Sequence, residues 1–536
     1  MTFRPLPVAL LAALLLVALT GCQKSAATAP APTALSPDTV ASVHWLGKRR
    51  LDLAADAYFF SRVWSLPETM RLQAQTFDRL STGMWRALLG DPAAAQIPAA
   101  VLRPLLEDLT LKESYLEIRA ATGAPPTLVF AIHAGAHTAG IWETNLAIAA
   151  QLITHSPAIA NPAIHGWNLA CTSAPALLRL ARVQDWTVIS LGPPANALAD
   201  DLAARIQRDG VPFVSAGTNL WLEAELAPSR LAAAAPQLLV PLTGSASLSS
   251  PGAVGNFSSL LSAFSHFQMS LTGDGGNVIT RGQVRIVAPL PTALPPWQLP
   301  VALLHEPMTS FTAVRSLPYY LDHWAAWRAL PMGTAPDQVF LWTLAGSPAQ
   351  AYLAAPLSAA GGSVSALTDW LLQTGNPWLA AHNYISFERA LDGNGVLWGN
   401  LPDIKPFIKS VGPGWLYAGL LPDSRDQAAP PPAGMLQDVL RRPDLVYYDW
   451  EVTGLRQASC FYLGQTIRQL CHQPPLSPDS ASAIWLKSLE PRLRTSATII
   501  SRTGPAELSC YRRSTLGLTA PELQLLAGWL ESPQFP

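Results

Sequence analysis

Hydrophobic and polar residues alternate at several places along this 536-residue chain, and each alternating run predicts a β-strand. Residues 115–119 and 128–132 form two such runs across a proline-rich turn, and residues 220–226 form a third. Successive side chains of a strand point to opposite faces, so a period of two indicates a strand with one buried face. Two glycine-rich turns, at residues 274–276 and 392–395, each predict a hairpin between flanking strands.

Helical patterns lie between and after these runs. Residues 141–153 carry apolar side chains at helical spacing. Near the C-terminus, residues 498–501 and 507–512 predict another hairpin, and a helix is expected to begin at Thr519. Glu522 stands three positions later, which is the spacing of a capping box, where two side chains bind free backbone N–H groups at the helix start.

Adjacent hairpins mixed with helices favour an α+β fold, with antiparallel sheets and helices packed on one face. A proline-rich stretch at residues 288–300 follows a completed hairpin, and we take it as a domain boundary. The prediction is an N-terminal α+β domain at residues 44–287 and a C-terminal α+β domain at residues 301–536.

A short pattern occurs once on each side of that boundary. Ser-Leu-Pro at residues 65–67 precedes Trp-Arg-Ala-Leu at residues 85–88, and the same letters recur at residues 316–318 and 327–330. The distance from Ser to Trp is 20 residues in the first copy and 11 in the second. The pattern therefore leaves open whether the two halves are related by duplication.

The first 22 residues have the pattern of an export signal. Arg4 and the amino terminus are positive, and residues 5–19 are apolar and uncharged. About 15 apolar residues suit a signal peptide and fall short of the roughly 20 that span a bilayer. The segment ends in Leu-Thr-Gly-Cys at residues 19–22, which resembles the lipobox of bacterial lipoproteins. The resemblance implies that residues 1–21 are a lipoprotein signal peptide. It also implies that Cys22 is the lipidated residue and that palmitate is among its acyl chains.

The same resemblance bears on location. Gln23 follows the cysteine, where many lipoproteins retained at the inner membrane carry Asp, so we expect the outer membrane of the cell envelope. The sequence leaves open which leaflet the protein faces. A cysteine with more than one acyl chain is a stable membrane anchor. Residues 22–43 contain several prolines and no periodicity, which predicts a lipidated cysteine followed by a flexible tether.

Composition limits the function. Hydrophobic residues make up 49% of the chain, which excludes a disordered protein. Because the net charge is −1, nucleic-acid binding as the main activity is excluded. Charged residues are only 13%, and residues 231–273 and 339–368 contain none. Their prolines exclude a membrane span, which leaves either a weakly charged surface or an interface for a protein partner or self-association.

Four cysteines follow Cys22: Cys171, Cys460, Cys471 and Cys510. Cys460 and Cys471 flank a predicted helix and would lie about 16 Å apart along it, too far for a disulfide, which tolerates about 7 Å between Cα atoms. A bond from Cys510 to Cys460 or to Cys471 is open, and free buried thiols are the alternative. The cysteine and histidine spacings match no metal-binding motif, so neither a metal nor another cofactor is expected.

Catalytic motifs for nucleophiles, phosphate loops and zinc are absent from the sequence. Asp449 and Glu451 are the weak candidates for chemistry, because on a strand both side chains would share one face with Cβ atoms about 7 Å apart. Paired carboxylates beside aromatic residues are typical of glycoside hydrolases. Acidic residues on a strand are also common without any catalytic role.

These observations favour a non-enzymatic cell-envelope lipoprotein with a binding or assembly role. The alternative is an exported hydrolase, acting on glycans through Asp449 and Glu451. A third hypothesis is a glycan-binding protein that presents some of the 18 tryptophans as an exposed row. The sequence leaves open whether the chain is an enzyme.

Overall fold

The fold is known from a computed structural model with two compact units. Unit 1 comprises Met1–Ala288 with Leu530–Pro536, and unit 2 comprises Pro289–Trp529. The structure describes residues 35–89, 99–121, 125–171, 176–215, 217, 219–234, 263–291, 293–316, 331, 335–357, 364–381, 386–398, 404–412, 414–421, 433–470, 474–532 and 535.

Unit 1 alternates strands with helices. Its strands are β1 (Thr39–Trp45), β2 (Ser114–Arg119), β3 (Thr127–His133), β4 (Ile159–Asn161), β5 (Gly166–Cys171), β6 (Ala176–Val183), β7 (Trp186–Gly192), β8 (Leu222–Leu226), β9 (Phe264–Gly273) and β10 (Val278–Ile286). Its helices are α1 (Lys48–Leu51), α2 (Tyr58–Trp64), α3 (Pro67–Leu89), α4 (Ala99–Leu111), α5 (Ala136–Thr154), α6 (Ala197–Asp209) and α7 (Pro228–Ala234).

Unit 2 follows the same alternation. Its strands are β11 (Met308–Arg315), β12 (Gln338–Leu344), β13 (Ala351–Pro356), β14 (Phe387–Arg389), β15 (Gly395–Trp398), β16 (Phe407–Val411), β17 (Trp415–Gly419), β18 (Leu445–Val452), β19 (Thr495–Gly504) and β20 (Glu507–Ser514). Its helices are α8 (Val364–Trp370), which continues through a π turn (Leu371–Gly375) into α9 (Asn376–Ala381), then α10 (Ala433–Leu440), α11 (Thr453–Leu470), α12 (Ala481–Leu489) and α13 (Ala520–Glu531).

The two units share the same strand topology. In unit 1 the order is β10-β9-β8-β1-β2-β3-β7-β6-β5-β4, with every neighbouring pair antiparallel. In unit 2 it is β20-β19-β18-β11-β12-β13-β17-β16-β15-β14, again antiparallel throughout. Each pairing of unit 1 recurs in unit 2 with both strand numbers raised by ten. Such a match of non-local pairings indicates an internal duplication.

Glycines at matching places support this equivalence. Gly166 opens β5, and a Cβ there would lie 2.0 Å from the Leu180 carbonyl oxygen of β6. Gly395 opens β15, and a Cβ there would lie 1.9 Å from the Ile408 carbonyl oxygen of β16. Since both neighbours are backbone atoms, only glycine fits at this position in either unit. The Ser-Leu-Pro of residues 65–67 comes after β1, and Ser316 follows β11; residues 317–330 lie outside the described residues.

Helices cover both faces of each sheet, rather than one face as the sequence favoured. In unit 1, Phe130 and Ile132 of β3 pack against α4 and α5, while the alternate residues Val129 and Ala131 pack against α6. In unit 2, one face packs against α10 through an aromatic core that includes Phe311, and the other packs against α8.

The predicted α+β class with antiparallel sheets is confirmed, with hairpins at β2–β3, β9–β10, β14–β15 and β19–β20. The start of the folded body differs from the prediction. Thr39–Trp45 is a strand held between β2 and β8, so residues 39–43 belong to the sheet rather than to the tether. Small residues in Thr-Val-Ala-Ser-Val obscured the alternation there.

Candidate functional site

Asp449 and Glu451 lie side by side on β18, as the spacing of two predicts, but they are sealed inside unit 2. Their side chains are 2% and 0% exposed. The Thr312 hydroxyl of β11 donates to Asp449 Oδ1 at 2.5 Å. The Ala520 N–H, at the start of α13, donates to Glu451 Oε1 at 2.9 Å.

Arg456 joins the two carboxylates from the first turn of α11. Its Nη1 lies 2.8 Å from Asp449 Oδ1 and 2.9 Å from Glu451 Oε2. One buried guanidinium thus serves two buried carboxylates, which leaves an excess of negative charge. Burial raises the pKa of Glu451, and the negative charge of Asp449 raises it further. Together they outweigh Arg456, which lowers it. We name Asp449, Glu451, Arg456 and Thr312 the unit 2 ion cluster.

A general acid or nucleophile must reach its substrate, and neither carboxylate of the unit 2 ion cluster is open to solvent. Both accept hydrogen bonds from partners on β11, α11 and α13. The geometry is that of a buried structural network, not of a glycosidase pair facing a cleft.

In unit 1, the positions of β8 that match the two carboxylates are apolar. Leu226 of β8 and Glu451 of β18 each stand two residues before the following helix, α7 or α11. Ala41 pairs with Leu226 in unit 1 as Ser310 pairs with Glu451 in unit 2. Two positions earlier on the same face, Ala224 therefore corresponds to Asp449.

The helix position corresponds as well. Leu231 is the fourth residue of α7, and Arg456 is the fourth residue of α11. Leu231 packs in one apolar cluster with Ala41 and Leu226. Unit 1 thus fills with hydrophobic side chains the position that unit 2 fills with its ion cluster, so this fold does not require charges there.

Unit 1 has a buried charge network elsewhere, around Glu117 of β2. Arg205 Nη2 lies 2.6 Å from Glu117 Oε2 and Arg119 Nε lies 2.9 Å from Oε1, while the Tyr115 hydroxyl donates at 2.8 Å. Burial alone would raise the pKa of Glu117, but Arg205 and the Tyr115 hydroxyl hold it below its usual range. With each carboxylate oxygen partnered, this network is also structural.

A third polar group centres on His44 of β1. Its Nε2 lies 3.0 Å from Glu113 Oε1, and its Nδ1 lies 3.9 Å from Glu223 Oε2. Arg50 pairs with Glu113 on the far side at 3.0 Å, and the Ser215 hydroxyl donates to Glu223. Burial lowers the pKa of His44, but its two glutamate partners outweigh burial and raise it above the usual value.

Glu223 connects this group to a cavity of about 550 Å³ in unit 1. The walls are the segment that leads into β1 and one face of β8, β9 and β10. The lining includes Phe213, Glu223, Glu225, Arg230, His266 and Arg285. Glu225 is 43% exposed, and its Oε1 lies 3.8 Å from His266 Nδ1. Unlike the unit 2 ion cluster, these charged side chains reach open space.

Cys171, Cys460 and Cys510 are free thiols, so the proposed Cys460–Cys510 bond does not form in the structure. Cys460 lies on α11 and Cys510 on β20, and chain spacing alone could not tell how these elements orient the thiols. Burial raises the pKa of Cys460 to about 11, so its thiol is protonated at neutral pH. Cys471, Cys22 and the predicted signal peptide at residues 1–21 lie outside the described residues.

In the described part of the chain, no group of three or more His, Cys, Asp or Glu side chains comes together to hold a metal ion. The helices described are too short or too polar to cross a bilayer.

Comparison with known protein families, curated proteins and solved structures found no match.

Sequence reasoning missed the cavity, because its charged residues come from separate strands and α7. The spacing of Glu223 and Glu225 could have indicated it. They are two positions apart on a predicted strand, the same spacing that singled out Asp449 and Glu451.

Proposed function

We propose that this protein is a lipid-anchored, non-enzymatic cell-envelope protein, held at the outer membrane through Cys22, whose body binds a ligand or partner. The cavity of unit 1 carries this proposal, since charged side chains of both signs line it. Ligand sites are typically concave and contain a few polar groups that fix orientation.

The hydrolase alternative rested on Asp449 and Glu451. Both carboxylates are buried and engaged by Arg456, and a catalytic pair needs access to a sugar and to water. This burial argues against hydrolysis through these two residues.

Membrane fractionation tests the anchor. In cells that process lipoproteins, we expect the wild-type protein in the membrane fraction and Cys22→Ser in the soluble fraction. Cys460→Ser is the matched control and should stay with the membrane. If Cys22→Ser remained in the membrane fraction as the control does, the lipid anchor would be refuted.

Native mass spectrometry of the detergent-extracted protein tests the binding role. A bound small molecule or a stable partner supports it, and a bare polypeptide without partners argues against it.

A further inference from the structure

The polar lining of the unit 1 cavity is ordered by charge across three neighbouring strands. Glu223 and Glu225 form an acidic row on β8. Across the ladder, Glu225 pairs with Gln268 and Glu223 with Ser270, both uncharged residues of β9. Cross-strand partners share a face, so these side chains line the same side of the sheet.

The third strand brings positive charge. Arg285 of β10 pairs with His266 of β9, and the ladder places both on the face that Glu225 and Gln268 share. Neighbouring strands lie about 4.8 Å apart, so the backbones of the acidic row and of β10 are separated by about 10 Å. Opposite charges therefore face one cavity with neutral hydrogen-bonding groups between them.

Contacts on both sides hold the polar groups in place. The Ser215 hydroxyl and His44 fix Glu223, whose side chain is 15% exposed. Arg230 Nη1 donates to the Pro37 carbonyl oxygen at 2.6 Å, which fixes a second guanidinium at the cavity wall. Fixed side chains lose less conformational entropy when a ligand binds.

We propose that this cavity binds a small zwitterion, a molecule with both an ammonium and a carboxylate group, of the class of free amino acids and short peptides. The ammonium group lies at Glu225 and Glu223, and the carboxylate lies at Arg285 and Arg230. The inference rests on the proposed binding function and names its ligand class.

Other ligand classes match the lining less well. A multivalent anion such as phosphate would be repelled by Glu225, and a simple cation would be repelled by Arg230 and Arg285. A neutral sugar carries no charge that complements the acidic and basic groups of the lining. Among the described residues the cavity also lacks the three clustered ligands that would hold a metal ion.

The test is calorimetric titration of the detergent-extracted full-length protein at pH 7. The probes are the free amino acids, the dipeptide Ala-Ala, its N-acetylated and C-amidated forms, and maltose. We expect a free amino acid or Ala-Ala to bind. If Ala-Ala binds, each capped form should bind at least tenfold more weakly, because one charge is then missing.

Variants locate the site. Glu225→Gln and Arg285→Gln should each weaken zwitterion binding at least tenfold. Glu388→Gln and Arg441→Gln, at exposed positions of unit 2, are the matched controls and should leave the affinity unchanged. An unchanged thermal midpoint in each variant shows that loss of binding is not loss of folding.

The outcomes separate this inference from the proposed function. Binding of maltose without any zwitterion would overturn the ligand class and leave a binding role intact. Equal binding of capped and free Ala-Ala, or full affinity in Glu225→Gln and Arg285→Gln, would also overturn it. If none of the amino acids or Ala-Ala binds, the inference fails, while fractionation and native mass still test the proposed function independently.

Discussion

Replacing Arg456 alone by Leu should destabilise unit 2 strongly. Replacing the whole ion cluster by the apolar residues at the matching positions of unit 1 should not. Arg456 is the guanidinium shared by Asp449 and Glu451, which are 2% and 0% exposed. Removing one partner of a buried ion pair costs about 3–5 kcal/mol, because the remaining charge is left without compensation. Here two carboxylates lose their common partner, so we expect the upper part of that range.

The compensated variant combines Ser310→Ala, Thr312→Val, Asp449→Ala, Glu451→Leu and Arg456→Leu, which are the residues of unit 1 at the matching positions. Exchanging a buried ion cluster for hydrophobic residues is often neutral, or stabilising by about 1–4 kcal/mol. The Glu451→Leu change also removes the acceptor of the Ala520 N–H, which costs about 1–3 kcal/mol. The terms nearly offset, so we expect stability within about 2 kcal/mol of wild type.

The assay is urea unfolding of the Cys22→Ser protein, followed by far-UV circular dichroism and tryptophan fluorescence. Arg441→Leu, an exposed position, is the control and should cost about 0.5 kcal/mol or less. A compensated variant as unstable as Arg456→Leu would refute the positional equivalence of the two units.

The raised pKa of Glu451 adds a pH test to the same variant. A carboxyl whose pKa is raised in the folded state favours folding when it is protonated, and this contribution is lost as the pH rises through the folded pKa. The cost of Arg456→Leu should therefore be smaller at pH 5 than at pH 8. An equal cost at both pH values would contradict the assigned direction.

Three further predictions concern unit 1 and the shared topology. Glu117→Gln should lower the unfolding free energy by about 3–5 kcal/mol in urea titrations, because Arg205 and Arg119 lose a buried counter-charge. His44→Gln should flatten the pH dependence of the urea midpoint: the wild-type His44 pKa is raised, so its contribution is present at low pH and is lost as the pH rises above about 6.5. Gly166→Ala and Gly395→Ala should each destabilise the protein by about 1–3 kcal/mol in thermal scans, because the added methyl meets a backbone carbonyl.

Each of these has a control or an opposing result. Gly140→Ala, inside α5 with nothing within 4 Å of the new Cβ, should stabilise the helix by about 0.5–1 kcal/mol. A tolerated Gly395→Ala would contradict the close approach of β15 and β16. A wild-type urea midpoint that rises between pH 6 and pH 9 would contradict the direction given for His44, and full stability in Glu117→Gln would show that this network is not needed.

Local patterns were enough to predict the class of fold and much of its hairpin content. β2, β3, β9, β10, β19 and β20 follow from alternation and turn residues, which act between near neighbours in the chain. The shared ten-strand topology does not follow, because pairings such as β1 with β8 join distant segments. The short Ser-Leu-Pro repeat could suggest duplication but could not specify which strands pair.

The candidate sites divide in the same way. A spacing of two placed Asp449 and Glu451 on one face, but their burial depends on Arg456 and Ala520, whose contacts arise from helix packing. Glu117 meets Arg205 across 88 residues of sequence, a separation that leaves no local pattern. The cavity was missed for this reason too, since its acidic residues come from β8 and its arginines from α7 and β10.

Native mass spectrometry of the detergent-extracted protein tests the central claim most directly. Alongside wild type, the measurement includes Glu225→Gln and the control Glu388→Gln. A binding protein should retain a small molecule of constant added mass in the wild type and in the control, and should lose it in Glu225→Gln. The bare lipidated polypeptide in all three samples, with neither ligand nor partner, would contradict the claim.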